Sequence, residues 1–153
     1  MSRPPLVPEL YVLNLSQSLR FYVDILGFQI EYQRPESGFA AISLEGAHLM
    51  LEETASCEAA TDSEFTQGQW RTAPLAYPFG RGLSLEVTVA DVQSVYARLL
   101  THAYPFKLDL QDKWYRVHDR FQGVRQLLVM DPDGYLIRLD QTIGARTVGE
   151  ASE

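Results

Sequence analysis

At 153 residues the chain is long enough to bury roughly 70% of its unfolded surface in one compact unit or two fused halves, so neither a disulfide nor a structural metal is needed for stability. Lys and Arg number 13 against 20 Asp and Glu, a formal charge of -7, which argues against the basic surface that nucleic-acid binding demands. No stretch approaches the roughly 20 apolar residues of a membrane span, the first residues lack the apolar core of a secretion signal, and Cys57 is the single cysteine, so a cytoplasmic setting is expected.

Read in chain order, a strand is expected over 6–13, ending at Asn14, which can cap a helix with Gln17 in the capping-box position. Leu15, Leu19, Tyr22, Ile25 and Leu26 make one apolar helical stripe that Gly27 can terminate. Three short strands follow over 28–34, 39–44 and 48–53, separated by the turn residues 35–38 and 45–46. Residues 54–81 lack such periodicity and read as a connector carrying Trp70, Tyr77 and Phe79. Beyond it come a strand over 83–89 and a helix opened by Asp91 with Val92, Val95, Tyr96, Leu99 and Leu100 inward. Strands over 106–110, 124–130 and 135–141 complete the order, with Asp131-Pro132-Asp133-Gly134 as a tight turn and 142–153 as a frayed tail. Trp114, Tyr115 and His118 fall in the long loop this leaves.

The two halves repeat. An offset of 77 positions lays Val7-Pro8-Glu9-Leu10-Tyr11-Val12 on Ser84-Leu85-Glu86-Val87-Thr88-Val89, and an offset of 88 lays 45–52 on 133–140. The chain is therefore expected to be a single α+β domain over 1–153, built from a βαβββ module over 6–53, the connector over 54–81 and a second module over 82–141. Strand alternation puts Leu10, Val12, Leu49, Leu51, Leu85, Val87, Val89, Tyr135, Ile137 and Leu139 under the helices. The opposite, polar face carries Val7, Glu9 and Tyr11, His48, Met50 and Glu52, Ser84, Glu86 and Thr88, and Leu136, Arg138 and Asp140. Three scattered histidines show no metal spacing, and Cys57 has no neighbour that would lower its thiol pKa.

The string from Glu9 to Phe28, ending Phe21-Tyr22-Val23-Asp24-Ile25-Leu26-Gly27-Phe28, and the Asp131-Pro132-Asp133-Gly134-Tyr135 turn resemble the vicinal oxygen chelate superfamily of glyoxalases, extradiol dioxygenases and bleomycin-resistance proteins. The resemblance spans 6–141 and implies a cup-shaped, eight-stranded mixed sheet. Enzymes of the family hold a divalent metal on the first and last strand of each module, at positions that fall here on Val7, Met50, Ser84 and Arg138. Val and Met offer no hard donor and Arg brings a fixed positive charge, so no metal, cofactor or catalytic residue is expected.

The resemblance therefore implies the metal-free, bleomycin-resistance-like branch: a homodimer with pockets at the subunit seam that sequesters a small, cationic or aromatic molecule, such as a bleomycin-type drug. Glu9, Glu52, Glu86 and Asp140 would supply the field, Arg138 an anchor, Tyr11, His48 and Met50 part of the lining, and Trp70, Trp114 and Tyr115 the stacking surfaces. The alternative is a lyase, isomerase or dioxygenase of the glyoxalase type with a displaced metal, or with Arg138 as electrophile.

Overall fold

The structure is a computed structural model that describes residues 3–55, 57, 70–147 and 149; the remainder of the expected connector and tail lies outside them. Eight strands fall four to a module. In the first, β1 (Glu9–Val12), β2 (Gln29–Arg34), β3 (Phe39–Leu44) and β4 (Ala47–Glu53) form a sheet of order β1-β4-β3-β2. In the second, β5 (Ser84–Thr88), β6 (Leu108–Val117), β7 (Arg120–Met130) and β8 (Leu136–Thr147) form β5-β8-β7-β6. The outer pair β1–β4 is parallel, as is β5–β8, and every other pair is antiparallel. Each module thus runs β-α-β-β-β, and the duplication expected from the two offsets is the fold itself.

The apolar parity holds strand by strand. Leu10, Val12, Leu49 and Leu51 are buried on one face of the first sheet, and Val87, Val89, Leu127, Val129, Ile137 and Leu139 on the matching face of the second. Helix α1 (Leu15–Leu19) covers the first. Asn14 accepts from the Gln17 N–H at 2.9 Å, as its capping position requires, and Glu53 at the end of β4 reaches back to accept from the Leu15 N–H at 2.8 Å. Helix α2 (Val92–Thr101) covers the second and buries Val92, Val95 and Leu99; Leu100, expected inward, is 54% exposed because it follows Leu99 by one residue, about 100° around the helix from it.

The first helix continues as a π-helical stretch over Arg20–Ile25. The Leu26 N–H donates to the Phe21 carbonyl at 3.0 Å, and the widened turn lets both adjacent rings, Phe21 and Tyr22, enter the core. Phe21 packs on Tyr104 of the second module with ring centroids 4.9 Å apart. Other bonds across the modules run from Arg98 Nε to the Ile25 carbonyl at 2.7 Å and from the Ala90 N–H to Glu45 at 2.9 Å.

Two expectations need correcting. The segment read as a long loop is one hairpin, β6 and β7, turning at His118 and Asp119; β6 runs to Val117 and β7 starts at Arg120. Residues 142–147, read as tail, continue β8 beside β7. Both were obscured because these strands, half-exposed and rich in Arg, Gln, Asp and Thr, present little apolar alternation.

The Asp131–Gly134 turn docks into the first module, and it is tight. Gly134 has φ +96°, and a Cβ there would lie 2.5 Å from Pro78 Cα. Gly134→Ala is expected to destabilise the fold by about 2 kcal/mol or more, read as a lower urea midpoint at unchanged slope. Among the described residues no helix is long and apolar enough to cross a membrane.

Candidate functional site

The faces turned away from the helices are concave, one per module, and each sets charged and polar side chains beside its cavity. On the first, β1 and β4 set Glu9 beside Met50 and Tyr11 beside Glu52. A cavity of about 240 Å³ opens there, lined by Arg3, Val7, Glu31, Tyr32, Ala41, His48, Leu49 and Met50. Arg3 donates to Met50 Sδ at 3.6 Å, and the Ser43 hydroxyl donates to Glu31. At the other end of this face the Trp70 N–H donates to the Tyr11 hydroxyl at 2.6 Å, so the connector's described end lies against Tyr11. Trp70 itself is 65% exposed.

On the second face Glu86, Thr88, Tyr115, Arg138 and Asp140 line a separate cavity of about 240 Å³. Arg138 forms an ion pair with Glu86, and its guanidinium carbon lies 5.9 Å from the Tyr115 ring centroid. Thr88 donates to Asp140 at 2.7 Å, and Gln126 Nε2 donates to the Tyr115 hydroxyl at 2.8 Å.

Carboxyls pair in the same way in both modules. Glu52, pushed up to about 7 chiefly by burial, also shares a hydrogen bond with Glu9 and feels its charge. Asp140, 2% exposed, is pushed up to about 6 first by burial and then by Glu86. Glu86 is lowered, first by its hydrogen bond from Asp140 and then by Arg138. Since 9 and 86, and 52 and 140, are partners under the two offsets, one carboxyl of each pair holds its proton far above the ordinary carboxylate range. Near neutral pH Glu52 therefore carries only part of its charge, which weakens the field expected from the first module, while Asp140 loses its charge only in mildly acidic solution.

The raised groups set a pH dependence. Native Glu52 (to about 7), Asp140 (to about 6) and Asp131 (to about 6, by burial) keep protons that the unfolded chain releases near pH 4. Their stabilisation is complete below about pH 4 and is lost as pH rises through the native values. Tm is expected to fall between pH 5 and pH 8, and Glu52→Gln to flatten the upper part of that decline.

Of the residues expected at a site, Glu9, Tyr11, His48, Met50, Glu52 and, beside Tyr11, Trp70 gather on the first module, and Glu86, Tyr115, Arg138 and Asp140 on the second. Trp114 does not join them. It points to the other side of β6, where its ring lies over Gly123, whose added Cβ would be 2.7 Å away, and under the Arg146 guanidinium at 3.8 Å. Adjacent strand residues face opposite ways, so Trp114 and Tyr115 cannot both reach one cavity. Thr88, expected on the polar face beside Glu86, lines the second cavity; Arg3, Tyr32 and Gln126 were missed.

The positions that the family resemblance assigns to a metal carry Val7 and Met50 in the first cavity, Ser84 at the start of β5, and Arg138 paired with Glu86. This donor set does not fit a divalent ion: a thioether and a hydroxyl are its only neutral donors, and a guanidinium occupies the fourth place. Among the described residues no three His, Cys, Asp or Glu side chains gather in a metal-binding group.

A duplicated βαβββ chain with a concave face on each module defines the class. Residues 6–139 match the model of the Glyoxalase/Bleomycin resistance protein/Dioxygenase superfamily, and the chain belongs to that superfamily. Similar solved structures include TioX from Micromonospora sp. ML1, 20% identical over 90% of this chain and 98% of that one, with a TM-score of 0.63. A lactoylglutathione lyase from Agrobacterium tumefaciens is 16% identical over 91% of this chain and 96% of that one, at 0.55. A superfamily member from Vibrio splendidus 12B01 is 31% identical over 88% of this chain and 95% of that one, at 0.39. No curated protein matched.

Proposed function

We propose that the chain is a metal-independent binding protein of the bleomycin-resistance type, which sequesters a small organic molecule on its concave faces without transforming it. One observation carries this reading: the four positions that would hold a metal present Val7, Met50, Ser84 and Arg138, and the first two instead line an apolar cavity. The ligand would be held by burial in the first module and by the Glu86–Arg138 pair, Tyr115 and Asp140 in the second. The single free thiol, Cys57, suits a cytoplasmic protein.

The working unit in this reading is a homodimer. Neither concave-face cavity draws a lining residue from the other module, and among the described residues β1 and β5 each end their sheet with one edge unpaired by another strand. A second copy that set its second module against the first module of its partner would close two cups and cover those edges. Sedimentation equilibrium is expected to give a dimer at micromolar concentration.

A glyoxalase-type enzyme with a displaced metal is the rival, and the repeat-related carboxyl pairs Glu9–Glu52 and Glu86–Asp140 favour it. Calorimetric titration with metal-free bleomycin tests the sequestering role. Saturable binding at micromolar ligand, one drug per cup, is expected; heatless titration removes drug resistance from the proposal.

A further inference from the structure

We propose that the cavity of the first module receives an uncharged aromatic ring, held between the Met50 thioether, Tyr32 and the Arg3 guanidinium. The inference rests on the concave faces being binding surfaces and names the chemistry of the group bound at one of them. Val7, Ala41 and Met50 give the cavity apolar walls, and its volume is about 240 Å³. An apolar cavity of about 150 Å³ already admits benzene, so this one has room for a fused two-ring system.

Aromaticity follows from what stands at the opening. Arg3 touches Met50 Sδ at 3.6 Å and, among the described residues, forms no ion pair, so its planar guanidinium is available to lie on a ring face. The Met50 sulfur is itself a favourable partner for a ring edge, and Tyr32, 47% exposed, offers a second plate. Neutrality follows from the signs present. Glu31, held by the Ser43 hydroxyl, lines the same cavity and opposes an anionic ligand, while Arg3 opposes a cationic one. His48 is also among the lining residues, and an imidazole nitrogen can exchange a hydrogen bond with a hydroxyl.

The test uses full-length protein labelled at the methionine methyl groups and at tyrosine, titrated with 2-naphthol, its saturated counterpart decahydro-2-naphthol, 2-naphthoate and 2-naphthylmethylammonium. Naphthol is expected to shift the Met50 methyl by its ring current, leave Met130 unmoved, and bind at least about tenfold more tightly than each of the other three. Arg3→Gln is expected to narrow the gap between naphthol and its saturated counterpart. Met50→Glu is expected to abolish the naphthol response at Tyr32, which keeps its own label, with an unchanged Met130 resonance showing that the variant is folded.

Equal binding of the saturated alcohol, or of either charged naphthalene, overturns the inference. So does a response at Tyr115 without one at Met50, which leaves concave-face binding standing but moves the ring to the second module. If no probe shifts either residue the inference is lost, and the separate bleomycin titration then decides whether the wider reading falls with it.

Discussion

Replacing Asp131 by alanine is expected to cost about 3–5 kcal/mol and to lower Tm by roughly 10 °C. Asp131 is 2% exposed. It accepts the Tyr22 hydroxyl at 2.7 Å and the N–H groups of Asp133 and Tyr135, each at 2.9 Å. Removing the carboxyl strands three donors, each worth about 1–3 kcal/mol when left buried without a partner. The loss is below the simple sum because the carboxyl is itself strained by burial, which pushes it up to about 6. Asp131→Asn keeps an acceptor and sheds the charge, so it should cost much less. Tyr22 belongs to the first module and Asp131 to the second, and the neighbouring bonds from the Leu13 N–H to Asp133 at 3.3 Å and from the Tyr135 hydroxyl to the Tyr11 carbonyl at 2.9 Å cross the same boundary. Urea denaturation at pH 7 reads the effect. An alanine variant within about 1 kcal/mol of the parent would show that the turn is not what joins the modules.

Installing Val7→His, Met50→Glu, Ser84→His and Arg138→Glu together is expected to create, where the proposed homodimer sets one copy's first module against its partner's second, a zinc site of micromolar affinity or better, about 8 kcal/mol of binding that the parent donor set does not supply. Val7 and Met50 already share one cavity, and Arg138 points into the other beside Glu86 and Asp140. Removing the guanidinium matters as much as adding donors, since its charge repels any cation brought to that face. The single change Arg138→Glu crowds three acids without a counter-charge and is expected to weaken the fold instead of binding zinc. Competition against a chromogenic chelator measures the affinity. Equal zinc binding by the parent chain and the fourfold variant would refute the mapping of these positions.

The fold was legible because its repeat is written in buried positions. Leu10 with Val87 and Leu51 with Leu139 recur at fixed offsets, and all four are buried. The cavity-facing residues on β1, β4, β5 and β8 followed from the same alternation. The hairpin of β6 and β7 was not legible, since exposed charged strands resemble loops, and Trp114 was misplaced with it. Nor could sequence show that Asp131 and Asp133, ordinary turn residues by type, are buried acids that tie one module to the other. Their partners, Tyr22 and Leu13, lie more than a hundred positions away in the chain. The raised titration of Glu52 and Asp140 was equally hidden, because it depends on burial and on how closely two strands bring a second carboxyl.

The most direct test is elemental analysis of the protein purified in chelator-free buffer and then equilibrated with zinc, nickel and manganese. A metal-independent binding protein emerges from gel filtration with no stoichiometric divalent ion. One ion retained per chain, and lost on Glu52→Gln or Asp140→Asn, would contradict that reading and put a metal-dependent enzyme in its place.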